Sequence, residues 1–241
     1  MNQTSLPLPE PEQAKRSSLM GAAAVISLAA AILGLFLFAW IADEMREGDT
    51  ASFDLAVRAW VHHFASPSMT RAMTVISLLG YNILILELVV ALAVFLLLRW
   101  RRAAAWLAVT MAGALALNLA LKYSFHRPRP EPFFGVAPPS YSFPSGHALC
   151  AFCFYAVLAG LIAARINSVA MRVMIWIAAG VLVIAIGLSR IYLGMHYPSD
   201  VLAGYLAAAV WVSAVIVLDR VRGNRRKLAD RRGQTLNANS E

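Results

Sequence analysis

Charge is what this sequence has least of. Only 14% of its 241 residues are Asp, Glu, Lys or Arg, against 60% hydrophobic, where soluble domains run near ~25% charged and ~45–50% apolar. That deficit excludes an ordinary soluble domain and points to a chain that sits in lipid. Cysteine is nearly as scarce: Cys150 and Cys153, in "LCAFCF", are the only two. Two cysteines cannot build a disulfide scaffold. With no second pair and an apolar helical context, the C-x-x-C spacing reads as small buried side chains rather than a redox or metal motif. Internal repeats and low-complexity tracts are also lacking. The net charge of +8 raises the question of nucleic acid, yet no basic domain with interleaved aromatics is present, so nucleic-acid binding is not expected.

What the chain does have is long apolar runs. A bilayer core takes ~20 mostly apolar residues as a helix, and six stretches qualify: Leu19–Ile41, Asn82–Leu98, Ala103–Leu121, Ala148–Ala164, Val169–Leu188 and Val201–Leu218. The expected fold is an all-α, polytopic membrane bundle of six transmembrane helices, with a cytoplasmic tail over residues 1–18 and a basic one over 219–241. Both ends read as loosely attached. The first run holds 23 uncharged residues, longer than a signal-peptide core of about 7–15, and is expected to stay as an anchor. Between the first two spans, "FDLAVRAWVHHF" places Phe53, Val57, Trp60, Val61 and Phe64 at helical spacing, with Asp54, Arg58 and His62 on the other side. This predicts a short helix at about 52–66 lying in the outer interface. His62 and His63 are adjacent and diverge on a helix, which argues against a metal site there. Glu87 is the one acid inside an expected span, and its role is left open.

Lys and Arg set the direction. With the N-terminus inside, fourteen of the 21 basic residues fall on the cytoplasmic side: Lys15, Arg16, Arg99, Arg101, Arg102, Arg165, Arg172 and seven in "DRVRGNRRKLADRR". This bias places both termini in the cytoplasm, and the basic tail then serves topology and attraction to anionic headgroups of the bilayer. Three polar segments consequently emerge together on the outer side. They are "KYSFHRPRP" after the third span, "YSFPSGHA" before the fourth, and "SRIYLGMHYPSD" between the fifth and sixth.

As chemistry, the three segments make a site for a phosphate group. Arg129 and Arg190 supply planar forks for anionic oxygens, and Lys122 adds a point charge. "PSGH" (Pro144 to His147) begins a helix, so free N–H groups and the positive dipole end face an anion, with Ser145 at the start and Gly146 permitting close approach. His196, four residues before Asp200, suits a nucleophile: the carboxylate fixes one ring nitrogen as N–H and leaves the other lone pair free. His147 is then available to protonate the leaving oxygen. Opposite protonation demands on two imidazoles, each starting near ~6.5, predict a bell-shaped rate profile with both limbs between mildly acid and mildly alkaline pH. No cluster of carboxylates is at hand for Mg²⁺, so no metal and no other cofactor is expected, the cationic side chains supplying the electrostatics.

K-x6-R-P (Lys122, Arg129, Pro130), P-S-G-H and S-R-x5-H-x3-D (Ser189, Arg190, His196, Asp200) together resemble the three-part signature of the type-2 phosphatidic acid phosphatases, whose superfamily includes vanadium haloperoxidases and soluble bacterial acid phosphatases. The resemblance covers about 79 residues, from Lys122 to Asp200, and no signature position departs from it. It implies a six-helix membrane bundle in which His196 becomes a phosphohistidine, Asp200 orients it, His147 serves as acid and later activates water, and Lys122, Arg129, Ser145, Gly146 and Arg190 hold the phosphoryl oxygens.

The expected function is hydrolysis of a phosphate monoester or diphosphate of a membrane lipid at the outer face of a bacterial inner membrane. Phosphatidic acid, phosphatidylglycerophosphate, undecaprenyl diphosphate and lipid A phosphates all fit such a pocket, and no obligate protein partner is evident. Two other readings stand beside it: transfer of the phosphoryl group to a second lipid hydroxyl, and a non-enzymatic anionic-lipid binding or transport protein. The second is disfavoured because binding needs cations but neither nucleophile nor acid. A haloperoxidase is disfavoured because such enzymes are typically soluble.

The topology is open to a direct check. With Cys150 and Cys153 replaced, a single cysteine at Pro138 is expected to react with a membrane-impermeant thiol reagent in intact spheroplasts, and one at Asn167 to be spared. The reverse labelling pattern would put the three polar segments in the cytoplasm.

Overall fold

A computed structural model describes the backbone of residues 10–81 and 83–238, and among these the regular structure is entirely helical. The elements are α1 (Glu10–Glu47), α2 (Ala51–His62), α3 (Pro67–Leu79), α4 (Leu84–Leu97), α5 (Arg101–Phe125), α6 (Gly146–Ala163), α7 (Val169–Tyr192) and α8 (Pro198–Ala238). Helical backbone runs outward from the apolar runs to Glu10 and Ala238, so residues 10–18 and 219–238 are helix where loose tails were expected. Once a span is helical, each further residue adds a hydrogen bond without a new nucleation cost. Residues 1–9 and 239–241 of the expected tails lie outside the described residues.

Five helical segments are long and apolar enough to cross a bilayer: Leu28–Glu47, Arg101–Phe125, Gly146–Ala163, Val169–Tyr192 and Pro198–Val221. The expected second span, Asn82–Leu98, differs. α4 has 14 residues and rises only ~21 Å, short of a ~30 Å hydrocarbon core. It passes the same test only together with α3, to which it is joined at a 45° bend. Asn82, where this span was to begin, is outside the described residues. The α3 half was overlooked because Ser68, Thr70, Arg71, Thr74 and Ser77 interrupt its apolar pattern. Its N-terminus is capped by Ser66, whose hydroxyl accepts from the Met69 amide at 3.3 Å, with Pro67 in the first turn.

α6 is the most enclosed span, packed by α5, α7 and α8, while α1 lies along α8. Leu107 and Ala114 of α5, Leu149, Cys153 and Phe154 of α6, and Ala208 of α8 form the centre of the largest core cluster. Both cysteines are buried and free, as the apolar context of "LCAFCF" suggested. α7 by contrast turns Val173, Ile177, Val181, Ile184 and Leu188 outward, a stripe at helical spacing that suits a lipid-facing side. Between helices in lipid the hydrophobic effect supplies little, and close approach at small residues carries the association. Gly113 faces the Trp211 indole and Gly187 the Tyr205 hydroxyl. Gly204 makes the closest backbone approach of the three. A Cβ there would stand 2.7 Å from the Ser145 carbonyl oxygen, so α6 and α8 meet where each begins.

Glu87 receives the Tyr155 hydroxyl at 2.7 Å, a bond that ties α4 to α6. At the end of the bundle away from the three polar segments, Arg102 pairs with Asp219 and Arg165 lies over the Trp100 ring at 3.7 Å.

Because a backbone oxygen cannot swing aside as a side chain can, Gly204→Val must push α6 and α8 apart. Overpacking of this kind costs roughly 1–3 kcal/mol. The variant is expected to unfold at lower temperature in detergent than wild type, whereas Gly180→Ala, at a glycine with open space around it, is expected to be neutral in the same scan.

Candidate active site

Four helix ends converge at one end of the bundle: the C-termini of α5 and α7 and the N-termini of α6 and α8. α5 stops where His126 adopts a left-handed conformation (φ 51°), and the Arg-Pro-Arg-Pro run beyond it cannot continue a helix. α6 starts at Ser145, whose hydroxyl accepts from the Ala148 amide at 3.5 Å. Between α7 and α8, Gly194 takes φ +74°, and a side chain on it would collide with the Phe133 backbone. Glycine is required there for the loop holding Phe133 and Phe134 to bond the Leu193 carbonyl, at 3.1 and 3.3 Å.

These ends enclose a cavity of about 580 Å³. Lys122, Arg129, Gly146, His147, Arg190 and His196 all line it, so six of the eight residues singled out from sequence share one wall. A neighbouring cavity of about 600 Å³ shares Lys122 and Arg129 with it. Asp200 lies behind His196 and is fully buried. Ser145 is also fully buried and serves as the cap of α6 rather than as part of the cavity lining.

The ring of His196 is oriented from both sides. Nδ1 is 3.3 Å from Asp200 Oδ2, and Nε2 is 3.1 Å from Arg129 Nη1. A guanidinium only donates, so Nε2 must be the accepting nitrogen and Nδ1 the N–H that faces the carboxylate. The accepting lone pair therefore points to the cationic side of the site, where Arg129 donates to it. Burial pushes the His196 pKa down to about 3; the hydrogen bond and charge of Asp200 oppose this, and Arg129 and Arg190 add to it. The imidazole is thus unprotonated far below its ordinary range, which displaces the acid limb expected near ~6.5 to lower pH.

The cations differ in how much of their bonding capacity is already used. Arg129 donates to the carbonyls of Ser140 (2.7 Å) and Met195 (2.8 Å) and to the Ser140 hydroxyl (2.9 Å). Lys122 donates to the carbonyl of Tyr141. Arg190 is fixed by Ser77 at 2.6 Å, while its buried Nε has no partner among the described residues. The Asn118 Oδ1 is likewise unpartnered among the described residues, and its amide lies where a Cβ on Gly146 would stand, 3.1 Å away. His147 stacks on Tyr81, ring centroids 5.3 Å apart.

Sequence reasoning missed the support behind Asp200. The Ser142 hydroxyl and the Tyr197 amide (2.9 Å) donate to Oδ2, and Arg127 donates to Oδ1 at 2.7 Å. Arg127 reaches Asp54 Oδ2 with its other nitrogen at 2.8 Å. α2 is a short helix within the expected residues, but its polar side faces inward: Asp54 and Arg58 are buried. Of the expected apolar face, Phe53 and Trp60, and Phe64 just beyond the helix, are exposed, while Val57 and Val61 pack against the bundle. The available signal was Arg127 itself, two residues before Arg129, together with an acid at i and an arginine at i+4 on so apolar a helix.

Residues 103–223 match the family model of the PAP2 superfamily. Phosphatidylglycerophosphatase B of Bacillus subtilis is 32% identical over 176 residues, which cover 72% of this chain and 87% of that relative. The undecaprenyl-diphosphatase of Sulfolobus acidocaldarius is 30% identical over 125 residues, 49% of this chain and 56% of its own length. Among solved structures, the transmembrane PAP2-type phosphatidylglycerolphosphate phosphatase of Bacillus subtilis superposes with a TM-score of 0.73 at 28% identity, over 79% of this chain and 96% of that one. A family match spanning half the chain, a relative aligned along most of its length and a shared all-helical fold lead to one conclusion: this chain belongs to the PAP2 superfamily and is a multi-pass membrane phosphatase, a hydrolase of phosphoric esters.

Proposed function

We propose that the protein removes a phosphate group from a lipid phosphate or diphosphate at the outer face of a bacterial inner membrane, through a covalent intermediate on His196 and without a metal ion. The observation that carries this reading is the orientation of His196: Nδ1 is held by Asp200, and Nε2 faces Arg129 on the wall of a cavity that also contains His147, Lys122 and Arg190. In the first step Nε2 attacks phosphorus while the bond from phosphorus to the lipid oxygen breaks. His147 gives that oxygen its proton, and the ring carries the positive charge against Asp200. In the second step His147 takes a proton from water, which attacks phosphorus, and the P–N bond breaks to return free His196 and inorganic phosphate. Arg129, Arg190 and Lys122 balance the charge on the phosphoryl oxygens, and Gly146 leaves room at the start of α6.

A lipid substrate is supported by the rest of the lining, where Leu78, Leu119, Phe134 and Val136 stand beside the cations. Phosphatidylglycerophosphate is the first substrate to test, since a relative named for that activity aligns along most of both chains. The outer-face location rests on the Lys/Arg bias, and a six-span count rests on treating α3 and α4 as one bent crossing.

His196→Ala is expected to insert and fold but to lose turnover by at least about 10³-fold. Rapid acid-avoiding quench of the wild type with radiolabelled substrate is expected to trap phosphate on this residue and none on the variant. A variant with near-normal turnover would remove the nucleophile assignment.

Wild-type kcat/KM is expected to persist in excess EDTA and to be inhibited by vanadate, which can adopt the five-coordinate geometry of the transition state. After correction for titration of the substrate's phosphate, no loss assigned to His196 is expected as pH falls through ~6.5, because burial keeps this imidazole neutral there. Activity lost to EDTA and restored by Mg²⁺ or Zn²⁺ would sink the metal-free mechanism. An enzyme-derived acid limb at about pH 6–7 would show that His196 titrates normally.

A further inference from the structure

Behind Asp200 stands a second buried acid. Asp54, on α2, is fully buried, and so is Asp200; the Arg127 guanidinium lies between them, giving Nη1 to Asp200 Oδ1 at 2.7 Å and Nη2 to Asp54 Oδ2 at 2.8 Å. Ser199 closes the arrangement: its amide donates to Asp54 Oδ1 at 2.9 Å, its hydroxyl donates to Asp54 Oδ2 at 2.7 Å, and that hydroxyl accepts from Arg127 at 2.8 Å. Arg127 also covers the Tyr197 ring at 4.1 Å. Three elements far apart in sequence (α2, the segment after α5, and the start of α8) are locked at this one guanidinium.

The charges give this lock a chemical purpose. Attack by Nε2 turns the His196 ring into a phosphorylated cation, and Asp200 is the anion that faces it. An arginine bonded to Asp200 alone would neutralise that anion and weaken it as an acceptor. A second carboxylate on the other side of the guanidinium compensates the arginine, so the three groups together keep one net negative charge directed at Nδ1. In a site closed to water this difference is large compared with the same change at a surface.

We infer that Asp54 and Arg127 are positioning residues for the nucleophile, acting through Asp200: Arg127 fixes the carboxylate's orientation, and Asp54 preserves its charge. The inference rests on the phosphohistidine reading proposed for His196. Neither residue lines the cavity that would receive the phosphate, so their loss acts on the rate of attack rather than on substrate binding.

The test is a set of variants purified in detergent: Asp54→Asn, Arg127→Lys, Ser199→Ala, the double variant Asp54→Asn with Arg127→Met and its Arg127→Met single, and His196→Ala as reference. Folding is judged by thermal unfolding, and the phosphate pocket by competitive inhibition with inorganic phosphate. Asp54→Asn is expected to lower kcat about 10–100-fold, the range typical for partners that orient a reacting group, with KM and the phosphate inhibition constant changed by less than about twofold. The rate of phosphoenzyme formation is expected to fall by the same factor. Arg127→Lys keeps a charge but lacks the fork, and is expected to lose kcat likewise. If Asp54→Asn does not fold, this variant and Ser199→Ala, which removes only the bridging hydroxyl, carry the test. The double variant is expected to lose less than the product of the two single losses, because the uncompensated guanidinium is gone. Wild-type kcat in folded Asp54→Asn and Arg127→Lys, a loss confined to KM, or single losses that simply multiply would each overturn the inference. An inactive His196→Ala beside fully active Asp54 and Arg127 variants would remove this inference alone, whereas an active His196→Ala would remove the reading on which it rests.

Discussion

The site turns on a carboxylate kept charged where water cannot reach it. Asp200 is fully buried at the start of α8, and an unpaired anion in such a place would be prohibitively unstable. Its two oxygens are satisfied by four donors from two connecting segments: the His196 ring and the Tyr197 amide between α7 and α8, and the Arg127 guanidinium and the Ser142 hydroxyl between α5 and α6. Each donor belongs to a segment that must be held in position for the bond to form. The ends of α5, α6, α7 and α8 meet at one end of the bundle, and satisfying this one anion constrains all of them.

The bundle meets that demand with small side chains. Gly204 lets the beginnings of α6 and α8 touch, so the Asp200 carbonyl can accept from the Ser145 amide at 2.9 Å. The helix start that carries Gly146 and His147 is therefore bonded directly to the one that carries Asp200. Gly194 has the corresponding role for the loop before α8, letting Phe133 and Phe134 lie on the backbone just ahead of Met195 and His196. Here glycine acts through what it lacks. In a medium where burying apolar surface gains little, backbone-to-backbone approach at these positions sets the spacing of the reacting groups.

Most of the front wall of the site was legible in the sequence. Lys122, Arg129, Gly146, His147, Arg190 and His196 are charged or special residues placed at span ends, where a membrane chain has few reasons to put them, and the structure gathers them on one cavity. The supporting layer was not legible. Asp54 is far from Asp200 in the chain, with five helices between α2 and the segment that leads into α8, and an acid with an arginine four residues on does not by itself say whether the polar side of α2 faces protein or water. Ser142 and Asn118 are common residues whose importance lies only in what they touch. The bent α3–α4 pair was half missed for a related reason: its polar residues break the apolar run, although Ser77 among them is buried against Arg190. Hydropathy reads average surroundings, and it fails where a polar group finds a specific partner.

The inward-facing polar side of α2 changes which of its positions are free to vary. On an amphipathic helix of a soluble protein, apolar residues are confined by the shape of a core and polar ones drift. On α2 the apolar residues Phe53, Leu55 and Trp60 are exposed, so no protein surface fixes their outline. Asp54 and Arg58 have fixed partners instead: Arg127 and Ser199 for the one, the Glu131 carbonyl at 2.7 Å and the Phe133 ring for the other. Substitution tolerance along this segment is therefore reversed, strict at its charged positions and lax at its aromatic ones.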